Sequence, residues 1–131
     1  SFKAPNKRGD IKRSSLFMKR DFRVYIDDIL AAIKKIEKYT GDLNFDGFSK
    51  DEKTIDAIVR NFEIIGEAAK KLPQEIKKKY PKVPWGAMTG MRDKLIHEYF
   101  GVNFKVLWRT IKKDLPSLKP LIEEILKKLK I

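Results

Sequence analysis

The chain reads as an all-α protein, an antiparallel up-and-down bundle of four to five helices, and three observations lead there. Apolar residues recur at alternating spacings of three and four over long stretches, the period of a single buried helix face. No segment alternates apolar and polar residues over a useful length, so half-buried strands are not expected. Glycines and prolines fall between the stripes and divide them into units with short connections, as antiparallel helical neighbours require.

The first stripe is Phe22, Ile26, Ile29, Ile33 and Ile36, on a helix closed by Thr40-Gly41-Asp42 with glycine as terminator. Residues 42–50, with Gly47 and an asparagine–aspartate bias, read as a loop. Ser49 or Asp51 caps a second helix carrying Ile55, Ile58, Phe62, Ile65, Ala69 and Leu72 on one face. Pro73 opens a short basic helix through Tyr80, and Pro81 and Pro84 bracket a turn. A third main helix runs from Trp85 to Tyr99, with Met88, Met91 and Leu95 inward and Gly101 as its stop. Asn103 caps a fourth, bearing Phe104, Leu107, Trp108 and Ile111; Pro116 and Pro120 mark a break or kink before a last stripe of Leu118, Ile122, Ile125 and Leu129.

A length of 131 residues is enough for one domain with a real core. Residues 1–17 lack a stripe and hold Pro5, Gly9 and paired serines, so they read as a mobile basic arm or an expression remnant, leaving 18–131 as the helical domain. That arm carries +4 of the net charge of +12, and the remaining +8 still favours a polyanionic partner. Cysteine is absent, which excludes disulfides and thiolate catalysis, and with one histidine a structural zinc site is not expected. No cofactor is called for. No apolar run approaches the roughly 18 residues of a membrane span and no secretory h-region is present, which points to the cytoplasm.

The chemistry gathers in Met91-Arg92-Asp93-Lys94-Leu95-Ile96-His97-Glu98-Tyr99, which contains the sole histidine. Histidine, with an unperturbed pKa of about 6.5, both takes and gives a proton near neutrality, and arginine is a permanent cation suited to phosphate oxygens. Metal-free RNA cleavage needs a base for the 2′-hydroxyl, an acid for the leaving 5′-oxygen and a cation for the phosphorane-like transition state. His97 suits the first two tasks and Arg92 the third. At about 100° per residue, positions 92 and 97 lie roughly 140° apart, so one helix splays them. Asp93 stands four before His97, the spacing that orients an imidazole. Two separate histidines require a second subunit, and a symmetric helix pair would pool both motifs in one groove.

The stretch Asp51-x-Lys53-Thr54-x-Asp56-Ala57-x-x-Arg60-Asn61-x-Glu63-Ile64-Ile65-Gly66-Glu67-Ala68 resembles the HEPN-domain proteins of the HepT-like toxin group. So do Pro84-Trp85, Arg92-Asp93-x-x-Ile96-His97-x-Tyr99, Trp108 and Asp114-Leu115-Pro116, and the likeness spans essentially residues 18–130. The resemblance implies a five-helix HEPN-like domain, a homodimer whose two Arg-x4-His motifs face one cleft, and a metal-independent ribonuclease toxin acting on RNA, tRNA or mRNA. It implies a minimal nucleotidyltransferase antitoxin as partner, in a type VII-like toxin–antitoxin pair. It assigns catalysis to Arg92, Asp93 and His97, and makes Tyr99 the side chain that receives AMP.

The same residues also admit plainer roles. His97 can cap or pack, Arg92 can pair with Glu98, and Asp93 can be a surface charge. Tyr99 can pack beside Phe100. Asn61, Glu63 and Glu67 lie at the edge of a buried stripe, where they either support the site or pair with Arg60 and Lys70. The lysine-rich runs at 77–79 and 127–130 are solvated faces or guides for RNA. At the level of function, the alternative to a nuclease is a non-catalytic nucleotide-binding or adaptor subunit of a nucleotidyltransferase.

Overall fold

The computed structural model describes the backbone of residues 7–97 and 103–129 and, within them, the side chains of residues 22–91, 93, 94 and 103–129. The described residues contain no strand. Helix α1 spans Lys7–Thr40, α2 Phe45–Lys50, α3 Glu52–Lys71, α4 Gln74–Lys79, α5 Trp85–His97 and α6 Phe104–Arg109; a π-helical turn over Thr110–Asp114 leads into α7, Leu115–Leu129. Helix α3 packs on both α1 and α5, and α7 packs on α1. The result is the helical bundle expected.

Every member of the α1 stripe, Phe22 through Ile36, is buried, with Ala32 added beside it. The helix begins upstream of that stripe, at Lys7 rather than at Met18. Continuing a helix requires only the absence of a breaker, and Gly9 is tolerated at a modest cost. Residues 1–6 of the expected arm lie outside the described residues. At the other end Gly41 takes φ +48° and its N–H donates to the Glu37 carbonyl at 3.0 Å, so the glycine is required by the left-handed turn.

Residues 45–50 correct the reading of 42–50 as a loop. Asn44 Oδ1 accepts from the Gly47 N–H at 2.8 Å, and Phe48 is fully buried against Trp108 with ring centroids 5.0 Å apart. A good cap and one aromatic anchor thus offset the low helix propensity of Gly47. Asp51, not Ser49, caps α3 by accepting from Thr54 N–H at 3.1 Å. All six residues of the α3 stripe are buried.

Pro73 precedes α4 as expected, and Ile76 anchors that helix in the core. Trp85 is buried, and its Nε1 donates to the Tyr80 carbonyl at 3.0 Å, which fixes the turn from α4 into α5. Of the inward residues expected on α5, Met88 is buried and Met91 is half-buried; the Leu95 side chain, Tyr99 and Gly101 lie outside the described residues. Asn103 caps α6, where Leu107 is buried but Phe104, at the first residue, is 39% exposed.

The expected break at Pro116 and Pro120 takes a different form. The chain stays helical and widens ahead of Pro116, where the Leu115 N–H bonds the Thr110 carbonyl five residues back. Proline lacks the N–H of a regular turn and its ring crowds the carbonyl four residues back, so a wider turn accommodates it. Pro120 then sits inside α7, whose Leu118, Ile122 and Ile125 are buried and whose Leu129 is half-buried. An ion pair ties α7 to α1, with Lys119 Nζ 3.0 Å from Glu37 Oε1.

Candidate active site

The last turns of α5 carry Arg92, Asp93 and His97. The buried face of this helix is marked by Trp85, Met88 and Met91, spaced by three. At about 100° per residue, position 92 lies roughly 40° from the centre of that face, whereas position 97 lies roughly 180° from it. Asp93 is exposed, consistent with its place nearer to position 97. The backbone therefore keeps the splay between positions 92 and 97 expected from spacing alone. The side chains of Arg92 and His97, and all of Tyr99, lie outside the described residues.

Of the residues considered as support, Asn61 is 6% exposed on α3 and its Nδ2 donates to the Ala57 carbonyl at 2.8 Å. Glu63 Oε2 lies 3.3 Å from Arg60 Nη1, the pairing the spacing suggested. Glu67 pairs instead with Lys71, at 3.9 Å, rather than with Lys70. Each of these contacts lies within α3 itself, the helix that packs on α5.

A groove of about 410 Å³ runs beside the motif helix. Phe62 and Ile65 of α3, Met88 and Met91 of α5 and Leu118 and Leu121 of α7 line it, with Lys82 and Asp114 as its charged members. Periodicity counts such apolar residues as core and cannot tell that helices part above some of them. A second cavity, of about 220 Å³, lies between the α4–α5 turn and α7 around Tyr80. The Tyr80 hydroxyl is buried and has no hydrogen-bond partner among the described residues, an arrangement that costs about 1–3 kcal/mol. The sequence offered only the adjacent lysine run as a signal for this second place.

Among the described residues two titrating groups depart from their ordinary values, and both belong to the frame. Hydrogen bonds from Thr54 hold the Asp51 carboxyl below its usual range. The hydrogen bond and charge of Glu37 raise Lys119. Among the described residues no group of three or more His, Cys, Asp or Glu is placed to hold a metal ion, and no helix is long and apolar enough to cross a membrane.

Comparison with known proteins then bears on these positions. The family model described as Ribonuclease HepT-like matches residues 29–125. A protein of Thermococcus cleftensis named "Probable ribonuclease HepT" is 49% identical over 84% of this chain and 100% of its own length. "Putative RNase MJ0127" of Methanocaldococcus jannaschii is 47% identical over 83% of this chain and 90% of its own. "Putative RNase TTE0752" of Caldanaerobacter subterraneus subsp. tengcongensis is 47% identical over 81% and 95% respectively. No solved structure matches the chain. A helical bundle whose third main helix carries Arg92 and His97 in its last turns, matched by that model over most of its length, belongs to the HepT-like ribonuclease family.

Proposed function

We propose that the chain is the toxin of a type VII-like toxin–antitoxin pair and cuts RNA, tRNA among the candidates, in a cleft shared by two copies. The observation that carries this reading is the position of the motif. It ends α5 with positions 92 and 97 splayed roughly 140° apart, so that each copy holds half of a site. In the shared groove one His97 takes the proton of a ribose 2′-hydroxyl and the oxygen attacks the adjacent phosphorus. The partner's His97 gives a proton to the departing 5′-oxygen, while Arg92 bears the charge on the non-bridging oxygens. Asp93, four residues before His97, orients the imidazole. The products are a 2′,3′-cyclic phosphate and a 5′-hydroxyl, and no metal takes part.

Tyr99 is the off-switch in this reading. A minimal nucleotidyltransferase antitoxin joins its phenolic oxygen to the α-phosphorus of ATP, releasing pyrophosphate and leaving AMP on the tyrosine. A phosphate two residues from His97 repels the RNA backbone by like charge. Asn61, Glu63 and Glu67 brace α3 behind α5 rather than touch substrate. The setting is the cytoplasm, where RNA and the antitoxin are met.

Labelled tRNA and single-stranded RNA, incubated in EDTA with protein whose mass shows an unmodified Tyr99, test the reading. Wild type is expected to cut and His97→Ala to leave the RNA intact. If both leave it intact, the nuclease reading fails and the non-catalytic adaptor of a nucleotidyltransferase replaces it.

A further inference from the structure

The groove of about 410 Å³ beside α5 is lined by a single carboxylate, that of Asp114, and no role assigned so far uses it. Thr110, Asp114, Ser117 and Leu121 line the groove at spacings of four, three and four, so they form one stripe of the helical path that runs from Thr110 into α7. The wide turn ahead of Pro116 keeps Ile111 and Leu115 both buried while Thr110 and Asp114 line the groove. Single π-helical turns of this kind recur at functional sites. The lining from α3 and α5, by contrast, is apolar, with Phe62, Met88 and Met91. The Thr110 hydroxyl donates to the Val106 carbonyl at 2.9 Å and the Ser117 hydroxyl to the Lys113 carbonyl at 3.2 Å, so both have given their protons to their own helix. The Asp114 carboxylate is exposed and, among the described residues, makes no hydrogen bond or ion pair. The stripe therefore offers acceptors and no side-chain donor, and it shares the groove with an apolar wall.

We infer that this groove seats a guanine base of the substrate RNA, with the Asp114 carboxylate accepting from its N1–H and its 2-amino group. The inference rests on the ribonuclease reading. Single-stranded RNA is read through splayed bases, each of which lays a flat face on side chains and hydrogen-bonds along an edge. The groove supplies both kinds of surface, and its volume falls within the roughly 300–1,000 Å³ of small-ligand sites. Among the four bases only guanine sets two N–H donors side by side, which matches the two oxygens of a carboxylate. Adenine and cytosine each place one amino group beside a ring nitrogen whose lone pair repels the second oxygen. Uracil has a single N–H between two carbonyls. An arginine from a protein partner matches a carboxylate equally well, and charge decides between the two. Lys82 lines the same groove and the chain carries +12, so a ligand that brings its own phosphate is favoured over a cationic one.

The test uses the full chain carrying His97→Ala, so that RNA survives, and reads binding by anisotropy. The probes are labelled pyrimidine oligoribonucleotides holding either one guanosine or one inosine, which lacks the 2-amino group. The guanosine strand is expected to bind about tenfold more tightly, the worth of one hydrogen bond to a charged acceptor. Adding Asp114→Ala is expected to bring that ratio close to one. Melting temperature should stay the same or rise, since alanine is the better helix former and the carboxylate holds no partner. Equal binding of the two strands with Asp114 in place overturns the inference. So does an Asp114→Ala protein that loses melting temperature and keeps the ratio, which makes Asp114 a structural residue of the wide turn. Direct binding of a labelled arginine-rich peptide that Asp114→Ala abolishes, with the guanosine ratio unmoved, overturns it in favour of a basic protein partner. Free GMP that binds as tightly as the guanosine strand overturns RNA as the source of the base. With His97 restored, the guanosine preference should appear in KM rather than in kcat. Cleavage with equal KM for the two strands sinks the base site and leaves the nuclease standing, whereas guanosine-selective binding without cleavage does the reverse.

Discussion

Helices α3 and α5 lie against each other yet divide the work of the molecule. The α3 stripe runs through its whole length from Ile55 to Ala69, and all of it is buried between α1 and α5. The apolar face of α5 is marked by only Trp85, Met88 and Met91 among the described side chains, beside an open groove, and its final turns carry Arg92, Asp93 and His97. A helix that is packed along its length fixes positions, whereas α5 carries the motif positions in its final turns. Substitutions in the two helices should therefore fail in different ways.

The largest effect is expected at the centre of α3. Ile58 has no exposed surface, and Ile58→Ala should lower unfolding free energy by about 2–5 kcal/mol, seen as an earlier denaturant midpoint. Activity falls in that variant only as the folded fraction falls. His97→Ala should do the opposite, losing about 100-fold or more in cleavage rate, equivalent to about 2.7 kcal/mol, with no change in midpoint. If His97→Ala unfolds the chain instead, the division between the helices is wrong. Asn44→Ala should cost about 1 kcal/mol by removing the cap of α2, leaving cleavage per folded molecule unchanged.

The smallest effect is a shallow pH dependence of stability at both ends of the scale. Asp51 is lowered when folded, so its contribution is present above the ordinary value of 3.8 and is lost as pH falls through the lower folded value. Lys119 is raised, so its contribution is complete below 10.5 and is lost as pH rises through the higher folded value. Melting temperature should thus be insensitive to these two groups between those limits, and Asp51→Asn should flatten the acid side alone. A slope near neutrality that Asp51→Asn abolishes would contradict the assignment.

Legibility in the sequence followed the same division. The stripes of α1, α3 and α7 could be read because a buried helix face repeats with a period that survives in the order of residues. Glycine at 41 and proline at 73 could be read because each acts on its own backbone. Helix α2 escaped that reading, since its stability comes from Phe48 meeting Trp108, a residue sixty positions later. The π-helical turn escaped it too, as proline signals an obstacle without saying how the chain goes around it. At the motif, spacing was enough for the splay of positions 92 and 97, and the family likeness singled out the same residues.

Local order therefore carried the helices, their main caps, the family and the candidate catalytic positions, because each depends on neighbours within a turn or two. The partnership of Lys119 with Glu37, the pairing of Glu67 with Lys71 rather than Lys70, the groove above Phe62 and Met88 and the unmet hydroxyl of Tyr80 could not be read from that order. Most of them arise where segments distant in the chain meet or fail to meet, and Glu67 chose between two equally allowed neighbours. Packing in three dimensions brought Lys79, Lys82 and Lys128, from separate stretches of the chain, around one cavity.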